Sequence, residues 1–288
     1  MSFDRDRFAV GKSHFAYPIV AVAVFLAAVG AAVFVMWSAR AWSAPPPKDL
    51  DLSQFRLTFD EPFDKLDVSA WGPGTRWIAH TPWNGDFGDA RFINPTQGFP
   101  FSVENGILRI EAKRGDDGIW RSGLLASTDH YGHGFSQEYG YFEMRAKLPK
   151  GPGLWPAFWL VGNADPDTSV ELDILEYYGR FPDTYQSVVH LWKKSARGRD
   201  YHSVMQHPVP ADSLWQDFHT YGALIDSDAI VFYLDRHEVG RAPTPPEFHR
   251  ALFILLDLAM GGGWPIDKTP NPSVLQVDYV RAYQKKNP

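Results

Sequence analysis

The segment that decides the fold is residues 170–178, which read VELDILEYY and set three carboxylates among apolar residues. On an α-helix, at about 100° per residue, Glu171 and Asp173 would lie about 200° apart around the axis, so a helix gives no acidic cluster. On a regular β-strand these two acids share one face, but Glu176 points to the other face. A β-bulge between Asp173 and Glu176 absorbs one residue and returns Glu176 to the acidic face. The segment is therefore predicted to be a bulged strand with three acids in a row.

The chain around this segment alternates with period two, as strands with one buried face do. Residues 108–113 and 141–148 alternate apolar with charged or polar side chains, and no long amphipathic helix follows residue 57. With its Gly-rich and Pro-rich turns, this pattern predicts an all-β fold of two stacked antiparallel sheets, either a β-sandwich or a β-jelly-roll sandwich. Two further strands are predicted to present one face each, formed by Val188, His190 and Trp192 and by Leu275, Val277, Tyr279 and Arg281.

The composition of the 288 residues narrows the class of protein. Aromatic residues make up 15% of the chain, and 24 Gly and 23 Pro favour many short strands joined by turns. The net charge of −6 comes without a basic block, so a nucleic-acid partner has no electrostatic support. The absence of cysteine excludes disulfide frameworks, thiolate metal sites and cysteine nucleophiles.

An apolar segment precedes the predicted sandwich. Residues 15–37 are 23 residues without a charge, enough for a helix to cross the roughly 30 Å hydrocarbon layer of a bilayer. A secretory signal usually has an apolar region of only about 7 to 15 residues, so an uncleaved anchor fits better. Cleavage stays open, because residues 39–41 read ARA, and the protein would then be secreted.

This segment divides the chain into four predicted parts. Residues 1–14 form a cytoplasmic tail, because the basic residues before the apolar segment outnumber those just after it. A transmembrane signal anchor over residues 15–39 contacts the lipid bilayer, and a Pro-rich linker follows over residues 40–56. The functional domain over residues 57–285 is then expected on the extracytoplasmic side of the membrane.

The three acids have a chemical use. Retaining glycoside hydrolysis needs one ionised carboxylate as nucleophile and one protonated carboxyl as general acid, about 5 to 5.5 Å apart, within reach of two strand positions on one face. A middle acid can tune both of them. The alternative is a solvated polar strand face. Aromatic residues on nearby runs favour a sugar-binding cleft, although each one alone is more often part of a core: Trp155, Trp159, Tyr177, Tyr178 and Trp192.

Four segments resemble the family-16 glycoside hydrolases. They are residues 139–149 (YGYFEMRAKLP), 153–160 (GLWPAFWL), 171–176 (ELDILE) and 258–265 (LAMGGGWP), within a likeness that runs from residue 59 to residue 283. The acidic segment has the E-x-D-x-x-E form of laminarinase-like members. Asp257 departs from the pattern, because many relatives carry Asn there.

The resemblance implies an endo-acting enzyme that cuts internal β-linkages of a polysaccharide with retention of configuration and needs no cofactor. It assigns Glu171 as nucleophile, Asp173 as its electrostatic helper and Glu176 as general acid/base. It also implies a possible structural calcium, held by Asp278 with backbone oxygens near Glu61 and Gly106. The substrate-binding residues expected from it are Trp155, Trp159, His190, Arg91, Asn94 and Trp264.

The expected substrate is a β-1,3- or mixed-linkage glucan or a bacterial exopolysaccharide. Residues 83–92 (WNGDFGDARF) and 99–101 (FPF) resemble bacterial members that trim their own exopolysaccharide. Transglycosylation stays open as an alternative, since the same acids serve it. A non-catalytic lectin on the same fold is a further alternative, as is a structural envelope protein, and neither needs both glutamates.

Overall fold

The structure is a computed structural model that describes residues 48–162, 168–193 and 200–286. The predicted cytoplasmic tail (1–14) and signal anchor (15–39) lie outside the described residues. Within the described ranges, no helix is long and apolar enough to cross a membrane.

The described chain is built almost entirely of strands. Its one α-helix is the single turn α1 (Ser213–Gln216), and two short 3₁₀ turns span Leu52–Gln54 and Pro246–Phe248. The strands are β1 (Phe55–Glu61), β2 (Val68–Ser69), β3 (Trp77–Ile78), β4 (Ala90–Phe92), β5 (Phe101–Glu104), β6 (Ile107–Arg114), β7 (Trp120–Ser122), β8 (Leu124–Ala126), β9 (Ser136–Gln137), β10 (Gly140–Lys147), β11 (Leu154–Gly162), β12 (Thr168–Glu176), β13 (Thr184–Lys193), β14 (Tyr201–Pro208), β15 (His219–Ile225), β16 (Ala229–Leu234), β17 (His237–Pro243), β18 (Leu252–Met260) and β19 (Ser273–Lys285). The predicted all-β class is confirmed.

The strands form two sheets. A ten-stranded sheet has the order β17-β16-β15-β10-β19-β6-β7-β4, with β1 added to β19 and β5 to β6. A nine-stranded sheet, called the cleft sheet below, has the order β14-β13-β12-β11-β18-β8-β3-β2, with β9 added to β18. One hydrophobic core joins side chains of both sheets, among them Phe142 of β10 and Leu172 of β12, as in a jelly-roll sandwich.

The prediction of purely antiparallel sheets is wrong. The pairs β2·β3 and β4·β7 are parallel, so both sheets are mixed. The reason lies in the connections: the chain passes from β4 to β7 through the β5·β6 hairpin, and this crossover returns it to the sheet edge in the same direction. Neither parallel pair exceeds three residues on a side, too short for its alternation to be seen in the sequence.

The last strand also differs from its prediction. The residues predicted to share one face of this strand are Leu275, Val277, Tyr279 and Arg281. The register slips by one residue at Asp278, opposite Arg145 and Ala146 of β10. Beyond this bulge Val280 and Ala282 fill the core, so the last two predicted residues lie on the outer face. The first half of the prediction is confirmed, because Leu275 and Val277 are fully buried in the core.

The cleft sheet has two faces of different chemistry. On β11, Leu154, Phe158 and Leu160 point into the core between the sheets. The alternate residues, from Trp155 to Val161, point to the opposite face, where a second apolar cluster includes Phe253 of β18. Alternation along β11, β12 and β18 thus gives the sheet a partly apolar outer face, and this face carries the acidic residues described next.

Candidate active site

The three acids lie in a row on β12. Glu171 pairs with His190 of the neighbouring strand β13, and Glu176 pairs with Gln186. The two glutamates are five positions apart on β12, but their partners are only four positions apart on β13, so β12 carries one extra residue. Ile174 and Leu175 absorb it, because both point into the core. The predicted β-bulge is confirmed, and it brings Glu176 back to the face that Glu171 and Asp173 occupy.

Glu176 is held by three neutral donors. Its Oε1 accepts hydrogen bonds from Trp155 Nε1 at 2.9 Å and from the Tyr178 hydroxyl at 2.7 Å, and its Oε2 accepts one from Gln186 Nε2 at 2.5 Å. The rings of Trp155 and Tyr178 stack with centroids 5.7 Å apart. Gly262 lets a loop close over this pair, since a Cβ there would lie 2.6 Å from the Tyr178 ring. The Trp155 and Tyr178 donors are therefore held in place by the packing of their rings against each other and against the loop at Gly262.

Glu171 is half-buried and has a different set of neighbours. Trp192 Nε1 donates to its Oε2 at 3.0 Å, and His190 Nε2 lies 3.8 Å from its Oε1. Burial is the main cause that raises the pKa of Glu171 to about 7, and the charge of Asp173 adds to it. The His190 ring and the Trp192 hydrogen bond act in the opposite direction. Glu171 is thus poised to change its charge near neutral pH.

Asp173 is buried between the two glutamates. The residue is 5% exposed, and its Oδ2 lies 2.8 Å from His190 Nε2. Burial first, and then the negative charge of Glu176, raises the pKa of Asp173 well above its ordinary value. The direction of this shift favours the protonated form of Asp173, which lessens the like charge beside Glu171. Of the two carboxyls, we therefore assign the negative charge in the reaction to Glu171.

A fourth acid, Asp257, lies in the next row of the cleft sheet. It pairs with Ala157 of β11, which pairs in turn with Glu176. Asp257 is fully buried, and its two oxygens accept hydrogen bonds from Trp159 Nε1 at 2.8 Å and from the Ala259 N–H at 3.0 Å. Burial raises the pKa of Asp257 to about 8, which favours its protonated form below that pH.

Aromatic side chains line the surface on both sides of the acids. Next to Glu176 lies a cavity of about 580 Å³ whose walls include Phe181 and Trp264, each 37% exposed and in edge contact at 5.0 Å. On another side Trp83, 51% exposed, meets Trp159 edge to face at 6.1 Å. Exposed aromatic faces beside hydrogen-bonding groups are the surface that a sugar chain stacks on.

The structure brings some of the predicted binding residues to the acids and leaves others apart. Trp155 and His190 contact the acids directly, and Trp264 lines the cavity beside them. Trp159 lies in the floor, 5% exposed, with its indole nitrogen bonded to Asp257. Arg91 and Asn94 lie in and just after β4, and among the described contacts none joins them to the acids; Asn94 instead bonds His80 at 2.7 Å.

The predicted calcium ligands already have protein partners. Asp278 forms an ion pair with Arg145, and Glu61 forms one with Arg76 at 2.7 Å. Calcium takes six to eight oxygen ligands, and these cationic groups compete with it for the two carboxylates. The side chains as placed therefore do not fit a calcium ion. The backbone oxygens near Glu61 and Gly106 would have to supply the site, which stays a prediction.

Two residues of the site, Gln186 and His202, were not named from the sequence, and Trp192 was named only as an aromatic residue near the acids and on the face of His190. The signal for Gln186 is in the sequence, because the alternation that places His190 on the acidic face also places Gln186 there. His202 carries no such signal. It reaches the site because β14 pairs with β13 in the register that sets His202 opposite His190, which only the fold determines.

A sandwich with a row of carboxyl groups in an aromatic-lined cleft defines a carbohydrate-active protein. Residues 92–281 match the family model described as "Glycosyl hydrolases family 16", and the chain belongs to this family. The family predicted from the sequence is confirmed.

Among its relatives are two proteins of Rhizobium meliloti (strain 1021), the endo-1,3-1,4-beta-glycanases ExsH and EglC. ExsH is 35% identical over 257 residues and EglC 34% identical over 256, and each match covers 81% of this chain. The chain spans only about half the length of these relatives, 53% of each.

Solved structures share the fold. The laminarinase catalytic domain from Thermotoga maritima MSB8 matches with a TM-score of 0.64 at 25% identity, covering 81% of this chain and 100% of that chain. A mutant of SCLam, a non-specific endo-beta-1,3(4)-glucanase co-crystallised with 1,3-beta-D-cellobiosyl-cellobiose, also matches with 0.64, at 27% identity, covering 84% and 100%.

Proposed function

We propose that the chain is an endo-acting, retaining β-glycanase that hydrolyses internal β-glycosidic bonds of a polysaccharide by double displacement. The observation that carries the proposal is the row of Glu171, Asp173 and Glu176 on the cleft sheet. Their partners are neutral donors and a histidine, and within the described ranges no Lys or Arg forms an ion pair with any of them. Carboxyl groups without a fixed counter-charge can gain and lose protons during a reaction.

In the first half of the reaction Glu171 acts as the nucleophile. Its carboxylate attacks the anomeric carbon as the bond to the leaving oxygen breaks, and Glu176 gives its proton to that oxygen. Trp192 and His190 orient the Glu171 carboxylate through the contacts described above. The raised pKa of Asp173 favours its protonated form, which lessens the charge repulsion beside Glu171 during the attack. The products are a glycosyl ester on Glu171 and a free sugar chain.

In the second half Glu176, now ionised, takes a proton from the water that attacks the ester. The three hydrogen bonds that it accepts suit this ionised form. The same neighbours can also accept a hydrogen bond from the protonated form of Glu176. The Tyr178 hydroxyl can turn from donor to acceptor, and the Gln186 amide can present its oxygen in place of its nitrogen. Glu176 thus finds partners in both of its roles.

The proposed substrate is a β-1,3- or mixed-linkage glucan or a bacterial exopolysaccharide. The printed names of the relatives support β-glycans, and Trp83, in the segment that resembles exopolysaccharide-trimming enzymes, lines the surface beside Trp159. Aromatic walls on more than one side of the acids suit binding within a long chain, which is what internal cleavage needs.

Two rival functions rest on the same site. Transglycosylation uses the same acids, with a sugar hydroxyl in place of the attacking water. A lectin needs neither Glu171 nor Glu176, so the complete acidic row, held by oriented donors, favours an enzyme.

The membrane anchor over residues 15–39 and an extracytoplasmic location of the domain are also part of the proposal, supported by the uncharged length of residues 15–37 alone. Protease protection of inverted and right-side-out vesicles tests them.

A structural calcium at Asp278 is tested by thermal unfolding with calcium and with EGTA. A melting temperature that rises with calcium in the wild type but not in Asp278→Asn supports the site, and equal temperatures exclude it.

The decisive experiment measures new reducing ends released from laminarin, lichenan and a succinoglycan-type polymer by the full chain in mild detergent. Glu171→Gln and Glu176→Gln are compared with Glu138→Gln, a substitution of an exposed glutamate. We expect at least one polymer to be shortened by the wild type and the control but spared by both variants, with the β-anomer released first. A polymer that binds tightly to all four proteins and is never cut favours the lectin.

A further inference from the structure

His190 stands between the acidic row and a second histidine. One ring nitrogen, Nε2, lies 2.8 Å from Asp173 Oδ2 and 3.8 Å from Glu171 Oε1. The other, Nδ1, lies 2.6 Å from Nδ1 of His202 on β14. A contact of this length between two ring nitrogens requires that one donates a hydrogen and the other accepts it. The tautomers of the two rings are therefore linked.

The position of the Nε2 atom fixes which tautomer His190 adopts. Two carboxyl oxygens, of Asp173 and Glu171, face this nitrogen. A hydrogen on Nε2 points a positive edge at both, whereas a lone pair there would face the negative charge placed on Glu171. Burial lowers the pKa of His190, which disfavours a hydrogen on both nitrogens. His190 is then neutral, with its hydrogen on Nε2 and a lone pair on Nδ1.

This tautomer assigns a role to the second histidine. We propose that His202 is a positioning residue whose Nδ1–H donates to His190 Nδ1 and so holds His190 with its Nε2–H directed at Asp173 and Glu171. The inference rests on the proposed function of the acidic row. Asp173 Oδ2 then accepts a hydrogen from His190, so a proton on Asp173 would lie on its other oxygen, Oδ1.

The packing around His202 supports a fixed orientation. Its ring meets the Trp192 ring at 4.7 Å and the His190 ring at 4.8 Å, both edge to face, while Trp192 and His190 stack at 5.1 Å. The same Trp192 donates to Glu171. Replacing His202 thus removes two things at once, a hydrogen bond and a ring contact, and a test has to separate them.

Two variants separate the hydrogen bond from the ring. His202→Phe keeps an aromatic ring against Trp192 but cannot donate to His190, while His202→Gln loses the ring but keeps an amide N–H donor. We expect His202→Phe to lower kcat on the cleaved polymer by about tenfold, with KM within about twofold of the wild type, since the lost donor acts on the acids and not on sugar binding. His202→Gln should retain most of the wild-type kcat.

A spectroscopic readout tests the tautomer independently of activity. In protein labelled with ¹⁵N-histidine, the two ring nitrogens of His190, assigned with a His190→Gln variant, report which of them carries the hydrogen. We expect a protonated Nε2 and an unprotonated Nδ1 in the wild type, and loss of this single state in His202→Phe.

The outcomes that overturn the inference are distinct from failure of the proposed function. A wild-type protein that cuts none of the polymers refutes the function, while the nitrogen signals still test the tautomer. A His190 with its hydrogen on Nδ1 refutes the inference. So does a His202→Phe variant with wild-type kcat beside a His202→Gln variant that loses activity, which would mean that ring packing alone matters. Equal losses in the Phe and Gln variants also refute it, because the donor that Gln retains would then give no advantage.

Discussion

Glu143 and the acids of β12 lie in opposite sheets, and they have opposite kinds of partners. Glu143, in the middle of β10, is completely buried and accepts two hydrogen bonds from the Arg236 guanidinium, at 2.9 and 3.0 Å, and a third from the Tyr283 hydroxyl at 3.1 Å. The acids of β12 have indole, hydroxyl, amide and imidazole partners instead.

The two sheets therefore hold a structural carboxylate and the proposed reacting carboxyls by different kinds of partner. A bidentate guanidinium fixes a carboxylate in its ionised form, and the pKa of Arg236 is raised in return, mainly by its hydrogen bonds to Glu143. Neutral donors leave the protonation state of a carboxyl open, and burial then raises the pKa of Glu171 to about 7 and the pKa of Asp173 well above its ordinary value. Exchanging partners should therefore affect stability in one sheet and activity in the other.

The largest expected effect is the loss of activity in Glu171→Gln and in Glu176→Gln. Each variant removes a group that must change its bonding or its charge in the reaction, so we expect the rate of polymer cleavage to fall by at least about 1000-fold. The free energy of unfolding, measured with urea, should be unchanged or higher, because an amide has no charge to bury. A variant that unfolds more easily by several kcal/mol would show that these acids are structural.

The corresponding change in the other sheet is Arg236→Met. It leaves Glu143 buried without its cation and should lower the free energy of unfolding by about 2–3 kcal/mol, less than for a fully buried pair because Arg236 is partly exposed. The kcat of the folded fraction should be that of the wild type. The double variant Arg236→Met with Glu143→Leu should regain most of the stability, and failure to do so would show that the ion pair is not the cause.

A smaller effect is expected from Trp192→Phe. The activity of the wild type should rise with pH through about 7, as Glu171 ionises. Trp192 Nε1–H stabilises the ionised form, so its removal raises the pKa of Glu171 and should move this rise of kcat/KM to higher pH by up to about one unit. Phe keeps the ring beside His190. A pH profile that coincides with the wild type, or moves to lower pH, contradicts the assignment of Glu171 as the ionising nucleophile.

The smallest effect concerns Asp257→Asn. The pKa of Asp257 is raised to about 8 in the folded protein, while an unfolded Asp ionises near 3.9. The wild type therefore loses stability as the pH rises from about 4 to about 8, because only the unfolded chain releases this proton. The Asn variant should lack this loss. Its free energy of unfolding, measured with urea and compared with that of the wild type, should therefore increase by at least about 1 kcal/mol between pH 5 and pH 8. A constant difference would mean that Asp257 does not titrate there.

The acidic row was predictable from the sequence because it depends on local geometry. On a strand, the spacing of Glu171, Asp173 and Glu176 places all three acids on one face only if a bulge lies between Asp173 and Glu176. The structure has this bulge, and Ile174 and Leu175 absorb the extra residue. The bulge in β19 was not predictable in the same way. No row of acids in β19 shows which residues share a face, and Tyr279 suits either a buried or an outer position. The alternation therefore seemed to continue through Asp278.

The partners of the acids depend on long-range register, which a sequence does not show. Gln186 and His190 follow from alternation on one strand, but the pairing of His190 with His202 depends on how β14 docks on β13. In the same way, the bond between Trp159 and Asp257 joins residues 98 positions apart. Trp159 was therefore expected only as a substrate-binding residue, and the hydrogen bond from its indole nitrogen to a buried acid was not foreseen.

The bulge in β12 also has an evolutionary meaning. Ile174 and Leu175 both project into the core, so loss of one of them would leave a regular alternation in which the three acids still share a face. Elsewhere on the strand, an insertion or a deletion of one residue would send the acids that follow it to the core. We therefore expect a change of length by one residue to be tolerated best in this short stretch, where it alters the spacing between Glu171 and Glu176 without turning either glutamate to the core.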